Sequence, residues 1–93
     1  MEQVERVPMA NSLVVFREEF DDWAILFDPD SGKAFGINPV GAFIWKHLDG
    51  KRGLKQILDE IKDSFEEVPH DAGRQSEEFI AELVKIGFAG YEA

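Results

Sequence analysis

The sequence predicts an α+β fold in which a three-stranded antiparallel sheet is followed by three helices. Three observations predict it. Between Leu13 and Ile37, short runs rich in β-branched and aromatic residues are broken by clusters of turn-forming residues, as in a strand meander. Asn38-Pro39 then supplies a helix start, and from Leu54 to Ile86 the apolar residues recur at three- and four-residue spacing. With 93 residues, 44% of them hydrophobic and including eight Phe and two Trp, the chain has material for one core and therefore one domain, residues 1–93.

Residues 1–11 show no clear periodicity, and Pro8 with Asn11-Ser12 reads as an irregular entry segment that pairs loosely or not at all. The first strand begins with Leu13-Val-Val-Phe. Asp21-Asp22 breaks it, and Trp23-Ala-Ile-Leu-Phe returns as the second arm of a hairpin. Asp28-Pro29-Asp30-Ser31-Gly32 concentrates turn chemistry: proline presets φ, Asp and Ser side chains bond nearby backbone, and glycine accepts a positive φ. The third strand, residues 33–37, is the last of the meander and so lies at the sheet edge. Ala34 and Gly36 leave one of its faces almost without side chains.

Asn38 is a favoured N-cap and Pro39 suits the first helical position, where its missing N–H costs nothing. Val40, Ile44 and Leu48 continue this first helix at four-residue spacing until Asp49-Gly50 stops it. Leu54, Ile57, Leu58, Ile61 and Phe65 form the apolar stripe of a second helix, with Lys55, Asp59, Glu60, Lys62 and Asp63 on its other side. Residues 66–73 are polar, contain Pro69 and connect to a third helix that runs from about Arg74, or from as early as Asp71, to Ile86. Its arc holds Ser76, Phe79, Ile80, Leu83, Val84 and Ile86, while Arg74, Glu77, Glu78 and Lys85 face away. Gly87 fits the C′ position, with Phe88 packing back.

Composition narrows the function. With no cysteine there are no disulfides, thiolate metal sites or thiol nucleophiles, which suits a reducing compartment. The N-terminus carries no secretory pattern and no run approaches the ~18 apolar residues of a membrane span, so the expectation is cytoplasmic. A net charge of −9 and a pI near 4.5 repel nucleic acid and anionic lipid, which points to proteins or peptides as partners rather than nucleic acid or membrane.

No constellation points to catalysis. His47 and His70 do not share a ligand spacing on one helix face, and none of Ser12, Ser31, Ser64 or Ser76 sits in a nucleophile elbow. Asp28, Asp30 and Gly32 look like the start of a calcium loop, but the glutamate such a loop needs six residues after its glycine is missing, so the segment reads as a turn. The glycines form neither phosphate-cradling motif. No metal, cofactor or enzymatic activity is therefore expected. Trp45 and Trp23 read as core residues. What remains is a surface, an edge strand beside amphipathic helices.

Three strands followed by three helices in so short a chain is the layout of a winged helix-turn-helix. The stretch from Phe27 to Gly50 resembles the PqqD family of peptide-binding proteins, through Asp30-x-Gly32, Ile37-Asn38, Gly41, Ile44-Trp45 and Leu48-Asp49-Gly50. Ile57, Phe65, Phe79-Ile80, Leu83 and Gly87 continue the match, which covers about residues 13–88. Gln75-Ser76, Gly53 and Ala34 depart from the family pattern. The resemblance implies a recognition element for ribosomally made, modified peptides. Such a domain holds the leader of a precursor peptide as a strand added to its third strand, beside the third helix, and delivers it to a radical S-adenosylmethionine (SAM) enzyme.

The residues agree independently, because an edge strand carries unpaired N–H and C=O groups that an incoming strand can satisfy. The candidate peptide-binding residues are Lys33, Ala34, Phe35, Gly36 and Ile37 on the strand with Gln75, Ser76, Phe79, Glu82 and Leu83 on the helix. Phe35, Ile37, Phe79 and Leu83 suit either the core or the groove, since both kinds of position share one sequence pattern. Gln75 and Glu82 flank the apolar arc as polar contacts, with Glu82 suited to a basic leader residue. Two alternatives stand beside this reading: a winged-helix DNA-binding regulator, opposed by Glu77, Glu78 and Glu82 on the third helix, and an adaptor that binds only the enzyme partner. A free edge also permits strand exchange, so the chain is expected as a monomer or a strand-exchanged dimer.

Overall fold

The β-branched and aromatic runs do form strands, and the turn clusters between them set their register. The structure, a computed structural model, describes residues 7–92. The elements run β1 (Val7–Ala10), β2 (Val15–Glu18), β3 (Ala24–Phe27), β4 (Ala34–Ile37), α1 (Pro39–Lys46), α2 (Leu54–Ser64), α3 (Ala72–Lys85) and β5 (Ala89–Glu92). The three-stranded sheet has order β2-β3-β4, both pairs antiparallel, and the three helices follow it, as the α+β reading requires. No helix among the described residues is long and apolar enough to cross a membrane.

The turn from β2 to β3 is closed by Trp23 N–H donating to the Phe20 carbonyl at 3.1 Å and Glu19 N–H donating to the Trp23 carbonyl at 2.7 Å. Its central residues Asp21 (φ 57°) and Asp22 (φ 67°) are both left-handed, as a type I′ turn requires, and Asp tolerates that region better than most residues. In the next turn Asp28 Oδ1 accepts the Asp30 N–H at 3.0 Å and Asp28 Oδ2 the Ser31 hydroxyl at 2.8 Å. The acidic residue that opens the segment resembling a calcium loop is thus engaged in holding a hairpin turn.

Alternation along the strands divides the sheet into two faces. Ala24, Leu26 and Ile37 are buried on the inner face, with Phe16 and Phe35 half-buried beside them, and meet the helices. From the helices come Ile44, Trp45 and Leu48, then Ile57 and Ile61, then Ile80 and Leu83, all buried in the same core. Trp45 is a core residue, as its spacing suggested. Trp23 is not: it lies just before β3 on the outer side of the sheet, 52% exposed, because it alternates out of phase with Ala24 and Leu26.

The entry segment departs from expectation. Val7–Ala10 is a strand paired with β5 in a second, two-stranded sheet, from Val7 opposite Glu92 to Ala10 opposite Ala89. Its other side is bonded too: Ala10 N–H donates to the Leu48 carbonyl at 2.8 Å and Gly50 N–H to the Pro8 carbonyl at 3.2 Å. The strand is four residues long, contains a proline and finds its partners at the far end of the chain, so no local pattern announces it. The expectation for residues 1–6 lies outside the described residues. β2 begins at Val15, two residues later than the apolar run suggests, because Asn11 first makes a turn, its Oδ1 accepting the Leu13 N–H at 3.0 Å.

α3 ends as its sequence predicts. Gly87 takes φ 84°, its N–H donates to the Val84 carbonyl at 3.1 Å, and Phe88 N–H donates to the Leu83 carbonyl at 2.8 Å. This is a Schellman cap, and Phe88 turns back into the core at 1% exposure. Between α1 and α2, Asp49 accepts the N–H groups of Lys51 (2.9 Å) and Arg52 (3.3 Å) and pairs with the Arg52 guanidinium. The Lys51 N–H, ahead of the Arg52 charge, holds the Asp49 carboxyl below the usual carboxylate range. Arg52 also bonds Glu60 at 3.1 Å. Glu60 in turn meets His47 Nε2 at 3.1 Å, and the His47 ring stacks on Phe43 at 4.2 Å between centroids. His47 thus joins α1 to α2.

Candidate functional site

The edge of β4 follows from one hydrogen bond. Asp28 N–H donates to the Lys33 carbonyl at 2.9 Å, which makes Asp28 and Lys33 a hydrogen-bonded pair. In an antiparallel ladder such pairs alternate, so with the observed register Leu26–Phe35 and Ala24–Ile37 are bonded and Phe27–Ala34 and Ile25–Gly36 are not. The bond from Glu19 N–H to the Trp23 carbonyl fixes the same phase from the β2 side, since it turns residues 23, 25 and 27 towards β2. The backbone N–H and C=O groups of Ala34 and Gly36 therefore point away from β3. Among the described residues no strand pairs with that outer edge.

At its end β4 runs straight into α1. The Asn38 side chain accepts the Gly41 N–H at 2.8 Å and its carbonyl accepts the Ala42 N–H at 2.8 Å, so the cap predicted from sequence is made. Gly41 is buried where α1 approaches α3: a Cβ there would lie 3.4 Å from the Phe79 ring, 3.2 Å from Ile37 Cβ and 3.3 Å from Asn38 Oδ1. The absent side chain is what lets the two helices come so close.

Beside this junction opens a cleft of about 400 Å³. Asn38, Val40 and Gly41 form one wall, Gln75, Ser76 and Phe79 the facing wall on α3, and Glu67, Val68 and Pro69 its end, with Ile44 and Ile61 at the floor. Its lining is mainly apolar, with the Asn38 and Gln75 amides and the Glu67 carboxylate as polar groups. Among the described residues no group of His, Asp or Glu is placed to hold a metal ion.

These features match a known family. The family model described as coenzyme PQQ synthesis protein D (PqqD) matches residues 24–89, well over half of the chain. The chain belongs to the PqqD family. Its fold is shared with two solved structures. TbiB1 in complex with the TbiA(beta) leader peptide is 24% identical with a TM-score of 0.72, over 91% of this chain and 99% of that one. Lasso peptide synthetase B1 complexed with the leader peptide is 19% identical with a TM-score of 0.73, over 90% and 98%. A search of curated proteins gives no match.

Within this PqqD-family fold the ten residues singled out by sequence fall into four groups. Lys33, Ala34 and Gly36 are exposed, and Phe35 is half-buried against the core. Gln75, Ser76 and Phe79 line the cleft: Gln75 is exposed with its amide donating to Asp71 Oδ1 at 3.0 Å, Ser76 is 4% exposed and Phe79 half-buried. The Ile37 and Leu83 side chains, at 3% and 0% exposure, belong to the core, and since the Ile37 backbone bonds Ala24 in the ladder, neither its side chain nor its N–H and C=O is turned to the outer edge. Glu82 is exposed on α3 but lies outside the cleft wall.

The opposite wall escaped the sequence reading. The four-residue spacing puts Val40 on the apolar stripe of the first helix, yet it is 36% exposed and lines the cleft, while Ala42 and Trp45 take the core positions. Val68-Pro69 stands in an otherwise polar connection, and that lone apolar pair was the signal available in the sequence.

Proposed function

We propose that the chain captures the leader of a ribosomally made precursor peptide as a strand added to the outer edge of β4 and presents it to a modifying enzyme of the radical SAM class. The observation that carries this reading is the free backbone edge at Ala34 and Gly36, which leads into the apolar cleft between α1 and α3. Main-chain bonds to the edge supply affinity for any extended peptide, and side chains entering the cleft supply selection. Both fold relatives are described as leader-peptide complexes, which supports the same use of this fold here. The chain's own part is binding and presentation, with the chemistry left to the enzyme.

DNA is a poor alternative occupant. Glu77, Glu78 and Glu82 are exposed on α3, the helix that a winged-helix reader would lay in the major groove, and they would face phosphate with the wrong sign. The leader reading is tested by titrating the isotope-labelled protein with a candidate leader peptide. Shifts at the amides of residues 34–38 and at Gln75, Ser76 and Phe79 are expected. A spectrum that stays unchanged with the leader of its own precursor refutes the reading.

A further inference from the structure

The sheet has a second face that the leader reading leaves unused. On its outer side, turned away from the helices, the central strand and the residue before it display Trp23, Ile25 and Phe27, with Trp23 52% and Phe27 40% exposed. Val15, 50% exposed, stands opposite Phe27 on β2. On the β4 side the register sets Ala34 beside Phe27 and Gly36 beside Ile25, so this apolar ridge descends into a gap as it approaches the free edge.

Nothing in the fold demands a glycine at position 36. Its φ is not in the left-handed region, and a Cβ built there would meet no heavy atom within 4 Å. Glycine inside a strand is destabilising, and where no turn, bulge or internal packing explains it, close approach by a ligand or another backbone does. The gap also lies on the residue whose outward N–H and C=O would bond an added strand. Backbone edge, empty side-chain position and apolar ridge therefore meet at one row of the sheet.

We infer that the peptide bound at β4 carries a large apolar side chain, aromatic by preference, directly opposite Gly36, lying across the glycine onto Ile25 and Phe27. The inference rests on the strand-addition reading and adds the peptide's other face to it: alternate side chains would enter the cleft, and the ones between would lie on the outer sheet. A residue paired with Gly36 projects from the same face as a Gly36 side chain would. Strands lie about 4.8 Å apart, so the paired residue sits roughly 10 Å from Ile25 with only a hydrogen between them. A short side chain leaves that interval open. An aromatic ring spans it, shields the glycine backbone from water and covers exposed apolar surface, as aromatic partners of edge glycines do in sheets.

The experiment selects a displayed library of random linear peptides on the wild type and, separately, on Gly36→Thr. Threonine favours strands and enters open space, so the variant is expected to fold with a Tm at or above the wild-type value. Wild-type binders that shift the Ala34 and Gly36 amides are expected to share one Phe, Tyr, Trp or Leu. Changing it to Ala should weaken binding about tenfold, and the Gly36→Thr protein should lose a similar factor for the parent peptide. The Ala-substituted peptide should bind both proteins within about twofold, because it has nothing to lay across position 36. Edge-binding peptides without that preference, or equal binding by Gly36→Thr, overturn the inference and leave strand addition standing. Failure of every selected peptide to shift the Ala34 and Gly36 amides removes strand addition, and the inference with it.

Discussion

The Asn38 side chain accepts the Gly41 backbone N–H at 2.8 Å, and through that contact the end of the edge strand is tied to the first turn of α1. The same Asn stands in the wall of the cleft, so one residue links the strand, the helix start and the pocket beside them. Asn38→Ala removes the cap acceptor and leaves a helix N–H without its partner. The expected cost is about 1 kcal/mol, or a Tm lower by about 4–8 °C for a domain of this size. Asn38→Ser or Asn38→Asp should restore most of it. Thermal melts of the three variants followed by circular dichroism check the order.

At the other end of the helical region Gly87 holds φ 84°, a conformation that an L side chain takes at a cost even though nothing crowds the site. Gly87→Ala is expected to destabilise the protein by about 1 kcal/mol, seen as a lower urea midpoint at unchanged m value. Because the cap lies outside the cleft and the β4 edge, affinity for a bound leader should stay within about twofold. A variant that loses binding without losing stability would place Gly87 in the site.

The parts of this fold legible in the sequence are those whose signals are local. Asn38-Pro39, the Leu54 to Phe65 stripe and Gly87-Phe88 each carry their own capping or periodic pattern, and each lies within a residue or two of the observed element. The edge position of β4 was legible for the same reason, since a meander leaves its last strand outermost. β1 was not, because Val7–Ala10 is made a strand by residues 89–92 and by the Leu48 and Gly50 backbone, and no window around it reports them. The fate of paired apolar residues was illegible too. Phe79 and Leu83 are one helical turn apart on α3, yet one lines the cleft and the other is sealed in the core, which only the approach of α1 through Gly41 decides. The resemblance to the PqqD family points to the β4 edge, and the register of β3 and β4 decides which of its backbone groups turn outwards.

Asp49 gives the fold a pH dependence of defined sign. The Lys51 N–H, followed by the Arg52 charge and N–H, favours its ionised form in the folded protein and lowers its pKa, with partial desolvation opposing. A group depressed on folding contributes stability above its unfolded pKa, about 4 for an aspartate, and loses that contribution as pH falls through the lower folded value. Wild type should therefore lose stability on acidification through this window, and Asp49→Asn should lose less over the same interval while being the less stable protein at neutral pH. Urea midpoints at neutral and acidic pH measure the difference. A carboxyl titration of Asp49 by NMR that shows no depression removes the assignment.

The alternation along β4 predicts that two neighbouring prolines will behave oppositely. The Ala34 N–H points to the outer edge, so Ala34→Pro removes a donor that nothing among the described residues uses, and proline is tolerated on an edge strand when its N–H side faces solvent. The Phe35 N–H points into the ladder with Leu26, so Phe35→Pro breaks a sheet bond and is expected to cost about 3 kcal/mol or more. Ala34→Pro should keep a cooperative melt near the wild-type Tm yet weaken a bound leader about tenfold or more, since the first bond of the added strand is lost. Phe35→Pro should fail at the level of folding. If Ala34→Pro binds the leader as the wild type does, the peptide is held by helix faces and the cleft instead of by the strand, and the enzyme-facing surface of the chain must then be sought on the helices.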